Sequence, residues 1–243
     1  MAQVRAELLK IRSTRTTLGL LLGMVGLILL FVLLTGLLTS VQSISSAENQ
    51  RQLLHIGSLA GVFSALAGVL LVTSEYRYGT IRPTILFTPD RARVLAAKVF
   101  AATLAGIAFG VVGSALGWGV GYAIISGRGI TFALSNGDVL QLVLGSLGGV
   151  ALWGAMGAGL GTILRNQVGG VITLLAWGFV VSPLLFGLVP AVGHFMPTYA
   201  EDAVAGLTMT HLLAPAGGAV VLVGWAALLA AIGLAVTARR DVA

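Results

Sequence analysis

Six long apolar runs separated by short polar stretches organise this chain of 243 residues. The runs cover 18–38, 54–73, 95–125, 139–164, 169–189 and 217–236. Each is about 20 residues or longer, and at about 1.5 Å per helical residue that length crosses a hydrocarbon core of about 30 Å. The pattern predicts an all-α integral membrane protein: six transmembrane helices in one domain over 1–243. Ahead of the first run, Val4, Leu8 and Ile11 recur at helical spacing, with Leu9 beside them, among Arg5, Lys10, Arg12 and Arg15. That predicts an amphipathic helix over 1–17 lying in the membrane interface, with a plain basic tail as the alternative. The first run is longer than the apolar core of a secretory signal and no A-x-A-like site follows it, so an uncleaved helix is expected.

The polar interruptions carry the rest of the information. The stretch 39–53 holds Glu48, Asn49, Gln50 and Arg51 and is predicted to be a short loop. His55 stands where the second run begins, the usual place of a solvated side chain. The longest interruption is 74–98, SEYRYGTIRPTILFTPDRARVLAAK, with Arg77, Arg82, Arg91, Arg93 and Lys98 but only Glu75 and Asp90 as acids. Within it Thr88-Pro89-Asp90-Arg91 reads as a helix start: Thr88 can cap, Pro89 suits the first helical position, and Asp90 favours the positive helix end. Short polar segments follow at 126–138, with Arg128, and at Arg165-Asn166-Gln167. Gly178 and Pro183 predict a kink in the fifth run. The stretch 190–216 holds three prolines, His194, His211, Glu201 and Asp202, and is too broken to span yet too apolar for a free loop. Re-entrant or interfacial half-helices fit it best. Its two histidines and two acids match no metal-ligand spacing, so no metal site is assigned. Glycines four apart at Gly106/Gly110, Gly113/Gly117/Gly121, Gly145/Gly149 and Gly157/Gly161 make smooth stripes for close helix packing within the chain, in preference to a dimer seam.

Composition excludes the soluble classes. Hydrophobic residues make up 57 % and charged residues 9 %, against about 25 % charged in a soluble domain. The net charge of +6 sits in short groups beside apolar runs rather than on one face of a polar domain, which argues against nucleic acid and for lipid headgroups. Placing the N-terminus inside puts twelve Lys and Arg in the inner segments and two, Arg51 and Arg128, in the outer ones. Both termini and 74–94 are therefore predicted to be cytoplasmic. There is no cysteine, P-loop, nucleophile elbow or H-E-x-x-H. The first, third, fourth, fifth and sixth runs carry no ionisable residue in their interiors, which counts against an ion-coupled carrier and an intramembrane enzyme. No catalytic residue is assigned. Glu75 at the membrane edge needs a partner, expected from Arg77, Arg82 or an N-terminal basic residue. By themselves these residues leave two readings of the central loop open: a topology anchor with a salt bridge, or a rigid lever that docks in a partner's groove.

The sequences S-E-Y-R-Y-G-T-I-R at 74–82, L-F-T-P-D-R at 86–91 and A-A-K at 96–98 resemble a pattern in ABC exporter permeases. The start, R-A-E-L-L-K-I-R-S-T-R at 5–15, and the basic end at 239–241 share the resemblance. It is to the six-helix type-2 (type V) permeases, and most to small bacterial subunits related to bacitracin, lantibiotic and sodium efflux permeases. The resemblance implies a multi-pass subunit of a bacterial cell membrane, paired as a homodimer with two separate ATPase chains that hold ATP and magnesium. The chain itself would be no enzyme and bind no cofactor. By position, the resemblance makes 74–94 the coupling loop, with Gly79, Thr80, Ile81, Arg82, Pro83 and Thr84 docking in the ATPase. Glu75 would be the acid at the base of the second span, with Arg77 and Arg82 as its basic neighbours. The outer helices at 190–216 would close a route between the first, second and fifth spans. The greasy, uncharged runs favour a drug, antimicrobial peptide or lipid as substrate, without excluding a polysaccharide or sodium, and Tyr76, Trp118, Trp153 and Trp177 are the residues assigned to touch it. The competing readings are an ATP-independent channel and a non-transporting scaffold or immunity protein.

Overall fold

The protein is described here by a computed structural model covering residues 2–81, 83, 86 and 90–239. Of the sequence assignments, Arg82 and Thr84, the Thr88–Pro89 helix start and Arg240 and Asp241 of the basic end lie outside those residues. All regular structure among the described residues is helical. The order is α1 (Ala2–Ser13), α2 (Arg15–Leu38), α3 (Val41–Ile44), α4 (Ala47–His55), α5 (Ala60–Arg77), α6 (Arg91–Gly127), α7 (Asn136–Leu164), α8 (Gln167–Ala176), α9 (Ser182–Leu188), α10 (Pro190–Gly193), α11 (Pro197–Val204) and α12 (Pro215–Arg239). Six helical stretches are long and apolar enough to cross a membrane: Arg15–Leu38, Ala47–Arg77, Arg91–Gly127, Asn136–Leu164, Gln167–Leu188 and Pro215–Thr237.

The second, third and fourth spans form the centre. Of its most apolar stretch the second span buries 61 %, against 17 % for the first and 11 % for the fifth and sixth. Glycine makes this centre possible. A Cβ on Gly57 would lie 2.4 Å from the Gly113 carbonyl oxygen, and one on Gly113 would lie 2.5 Å from the Gly57 oxygen. Gly117 faces Gly57 and Leu54, Gly106 faces Ser64 and Val150, and Gly161 faces Val69. The glycine stripes are thus filled by the chain's own helices, whose backbones approach where side chains are absent.

Several boundaries differ from the sequence reading. The stretch 39–53 is not a loop: Ser40 and Ser46 cap α3 and α4, accepting hydrogen bonds from the Ser43 and Asn49 amides. The second span therefore begins at Ala47 and passes through a 3₁₀ turn, Ile56–Leu59, into α5. Hydropathy misses α4 because its sequence, AENQRQLLH, is mostly polar. Gln50 is fully buried all the same. Its Nε2 donates to the Thr131 carbonyl (2.8 Å), and its Oε1 accepts from the Ala133 amide (2.9 Å). At the start of α6 the capping residue is Asp90, whose side chain accepts from the Arg93 amide at 3.1 Å. Asp138 lies inside α7, not before it, and closes a capping box with Ser135. In the fifth span a π turn, Trp177–Val181, separates α8 from α9 just before Pro183, the place where the sequence predicts a kink. Proline has no amide to donate and crowds the preceding turn, so the helix relaxes there.

Arginines finish several helix ends. Arg128 Nη1 donates to the carbonyls of Gly36 (2.6 Å) and Thr39 (2.7 Å), capping the C-terminus of α2. Arg91 Nη1 donates to the Thr237 carbonyl (2.9 Å) near the end of α12. A cation on exposed C-terminal carbonyls satisfies orphan acceptors and the negative end of the helix dipole together.

Candidate functional site

The basic end of the bundle is held by four charges in one cluster. Glu75 comes from the last turns of α5, Lys98 from the start of α6, and Glu7 and Lys10 from α1. Glu7, Glu75 and Lys98 are buried. Lys98 Nζ donates to Glu75 Oε1 (2.7 Å) and Glu7 Oε1 (3.0 Å). Lys10 Nζ donates to the same two oxygens, at 2.6 and 3.2 Å. Two carboxylates and two ammoniums balance, as burial requires. Burial draws the Lys10 ammonium down, but the Glu75 hydrogen bond and the Glu7 and Glu75 charges outweigh it and raise its pKa. Apolar contacts surround the cluster: Val4, Leu8, Ile11 and Tyr76 pack on a core that includes Leu71, Val72 and Ala101. Val4, Leu8 and Ile11 of α1 thus turn onto the bundle, while Leu9 beside them is 58 % exposed.

The cluster revises the expected pairing of Glu75. An N-terminal lysine does meet it, but Lys98 joins from the far end of the central loop. Arg77 does not: its Nη1 donates to Gln167 Oε1 at 3.1 Å and its guanidinium lies 5.7 Å from the Tyr78 ring centroid. Arg77, Gly79, Thr80 and Pro83 are exposed. Glu75 and Ile81 are buried and hold the segment from within. Gly79 has φ +71°, the left-handed conformation that ends α5 and that glycine adopts without strain.

The other end of the bundle carries a second polar group, built around α11. Glu201 is buried against α7. Gly149 makes the room, since a Cβ there would sit 2.6 Å from Glu201 Cγ. Trp153 Nε1 donates to Glu201 Oε2 at 2.6 Å, while Glu201 Oε1 is buried with no hydrogen-bond partner. Next to it, His55 bridges Ser146 Oγ through Nδ1 and Asp202 Oδ1 through Nε2, both at 3.1 Å. His55 is only 7 % exposed, so it is not the solvated boundary residue that its sequence position suggests. The polar character of α4 conceals that one face of it is inside. Arg51 completes this end through Asp138 and the Gly206 carbonyl. No three His, Asp or Glu side chains among the described residues converge on a metal-sized site.

The four aromatic residues assigned to a substrate path separate into three places. Trp153 and Trp177 line a common apolar cavity with Trp225, which the sequence reading did not single out. Trp177 and Trp225 meet edge to face with centroids 5.7 Å apart. Trp118 lies elsewhere, against Phe132 at 6.5 Å and a cluster with Leu54 and Leu142. Tyr76 is at the basic end, 5.3 Å below the Arg165 guanidinium. Neither of these two lines the cavity.

Burial, reinforced by Asp202, pushes the Glu201 carboxyl well above its ordinary value of 4.5, against the lowering effect of the Trp153 hydrogen bond. A raised carboxyl binds more protons in the folded than in the unfolded chain. Its contribution to stability is complete below the unfolded value and is lost as pH rises through the folded one. Glu201→Gln keeps an oxygen for Trp153 and removes the titration. The variant is expected to gain on the parent protein steadily as pH rises above about 4.5, in thermal unfolding followed across a pH series. Parallel profiles would exclude Glu201 as a titrating group.

No protein-family model and no curated protein matches the chain.

Proposed function

We propose that this chain is the membrane-spanning permease subunit of an ATP-driven ABC exporter, coupling hydrolysis on a separate ATPase to efflux of a hydrophobic or amphipathic substrate. In this reading the basic end is cytoplasmic, two permease chains pair, and two ATPase chains carry ATP and magnesium. The observation that carries the reading is the closure of the central loop. Glu75 and Lys98 stand at its two ends, 23 residues apart, and bond directly. Glu7 and Lys10 tie the same point to α1. A force applied to the exposed residues Arg77, Gly79, Thr80 and Pro83 would then move the second span, the third span and α1 as one body. A loop that served only to fix topology needs positive charge, but needs no buried ionic clasp at its base. The wide exposed face of the fifth span, with Val168, Ile172 and Leu184, offers an apolar surface for a second permease chain or for lipid.

Purification from native membranes through a C-terminal tag tests the assignment. A P-loop ATPase is expected to co-purify in equal amount and to hydrolyse ATP. Replacing 79–84 with a Gly/Ser linker is expected to remove that ATPase while the chain still folds. A lone oligomer without ATPase activity would reject the assignment, and normal assembly of the linker variant would move the docking segment elsewhere.

A further inference from the structure

Two cavities share Trp153 and Leu174 as walls. The first, about 110 Å³, is lined by Glu201, Asp202, Thr198 and Ser58, with Gly178 and Phe179 from the π turn. Its wall holds two carboxyls and, among the described residues, no lysine, arginine or histidine. The second, about 210 Å³, is lined by Trp153, Trp177, Trp225, Met156, Leu160 and Leu229 and, among the described residues, by no charged side chain. A pocket with two carboxyls in its wall thus adjoins a larger apolar pocket walled by three tryptophans.

The polar pocket is incomplete as it stands. Glu201 is 6 % exposed, one of its oxygens takes the Trp153 N–H, and the other has no partner. An orphaned buried oxygen is costly. Glu7 Oε2 and Glu75 Oε2 also lack a hydrogen bond, but their carboxylates face two ammoniums, whereas the described wall around Glu201 offers no cation. Asp202 is engaged on one side by His55, which does not line the cavity. What complements these groups is a cation, which would take the place of the proton that burial favours on Glu201. A bare metal ion is a poor fit, because only two carboxyls are offered and the space beyond them is apolar. An organic cation fits both halves. Its head meets carboxyl oxygens and an indole face, and its tail occupies the tryptophan-walled cavity.

We propose that the pocket beneath α11 binds an organic cation with an apolar tail, the head between Glu201 and Asp202 and the tail among Trp153, Trp177 and Trp225. The route in is from the lipid side. The π turn contributes Trp177, Gly178 and Phe179 to the cavity walls, and Phe179 and Val180 are more than half exposed on the outside of the fifth span. A backbone already departing from the α-helix needs little change to admit a ligand dissolved in the bilayer. The site would define the class of molecule carried by the proposed exporter, and to that extent it rests on the permease reading.

The test uses the full chain in nanodiscs of zwitterionic lipid, without any ATPase. The probes are dodecyltrimethylammonium brominated at the chain end and the equally brominated dodecanol, which carries no charge. Bromine quenches tryptophan on contact, and three of the four tryptophans of the chain line the apolar cavity. Saturable quenching by the cation is expected at a bilayer concentration about tenfold below that needed for the alcohol, as a desolvated charge pair would give. Glu201→Gln is expected to erase that preference, and Thr198→Lys, which supplies a resident ammonium, to erase it independently. Equal quenching by both probes in the parent protein would overturn the proposal, as would a preference that survives in both variants. Since no ATPase takes part, this result and the co-purification result stand or fall separately.

Discussion

Lys98→Met is expected to cost about 3–5 kcal/mol of stability, the usual penalty for removing one partner of a buried ion pair. The change takes a 2 % exposed ammonium from between Glu7 and Glu75 and leaves two buried carboxylates facing Lys10, whose side chain is 44 % exposed. Methionine is close to lysine in length, so little of the loss would come from packing. The loss should be largely repaired by adding Glu7→Gln and Glu75→Gln, because three neutral groups no longer need a counter-ion. Denaturant unfolding of the three proteins in one detergent decides it. A single variant within about 1 kcal/mol of the parent, the range of an exposed pair, would show that the cluster is solvated rather than buried.

Gly157→Ala is expected to be as damaging, for a steric reason. The added Cβ would lie 2.1 Å from the Ala65 carbonyl oxygen and 2.7 Å from its carbon. No rotamer can relieve a clash between backbones, so α5 and α7 would have to separate along a seam that also contains Gly68, Gly154 and Gly161. Overpacking of a well-filled core costs about 1–3 kcal/mol, and this contact belongs at the upper end or beyond. Gly148→Ala is the matched control. It lies in the same helix with nothing within 4 Å of the new Cβ. There the helix-propensity gain of up to about 1 kcal/mol should show instead. Opposite signs in the two unfolding midpoints are the expected result, and equal shifts would mean that the helices are not packed at the Gly157 seam.

The spans are legible in the sequence because hydropathy is a local property: one stretch of about 20 apolar residues is sufficient evidence for one helix. Asp90 and Pro183 act close to where their chemistry places them, since capping and the loss of an amide are also local. What the sequence conceals depends on distance along the chain. Glu75 needs a cation, and the sequence offers Arg77, Arg82 or an N-terminal basic residue. In the fold Arg77 turns to Gln167, Lys10 is the N-terminal partner, and Lys98, 23 residues on, is the partner that no local signal names. His55 sits at a polar boundary by composition, yet α11 arrives from nearly 150 positions later to cover it. Trp153 is indistinguishable from a packing tryptophan until the helix bearing Glu201 folds over it.

Arg51 and Arg128 have a consequence for biogenesis. While the chain is being inserted, both are free positive charges at the end that the charge count assigns to the far side of the membrane, and they work against the majority. In the finished fold Arg128 is spent on the α2 carbonyls, and Arg51 on Asp138 and the Gly206 carbonyl. Hydrogen bonds to carbonyls do not discharge Arg128, and Asp138 belongs to the same end as Arg51, so the net charge of that end is the same before and after folding. What folding reduces is the access of the two guanidiniums to lipid headgroups. On the orientation that the charge count predicts, the two cations that count against it end by bracing the fold.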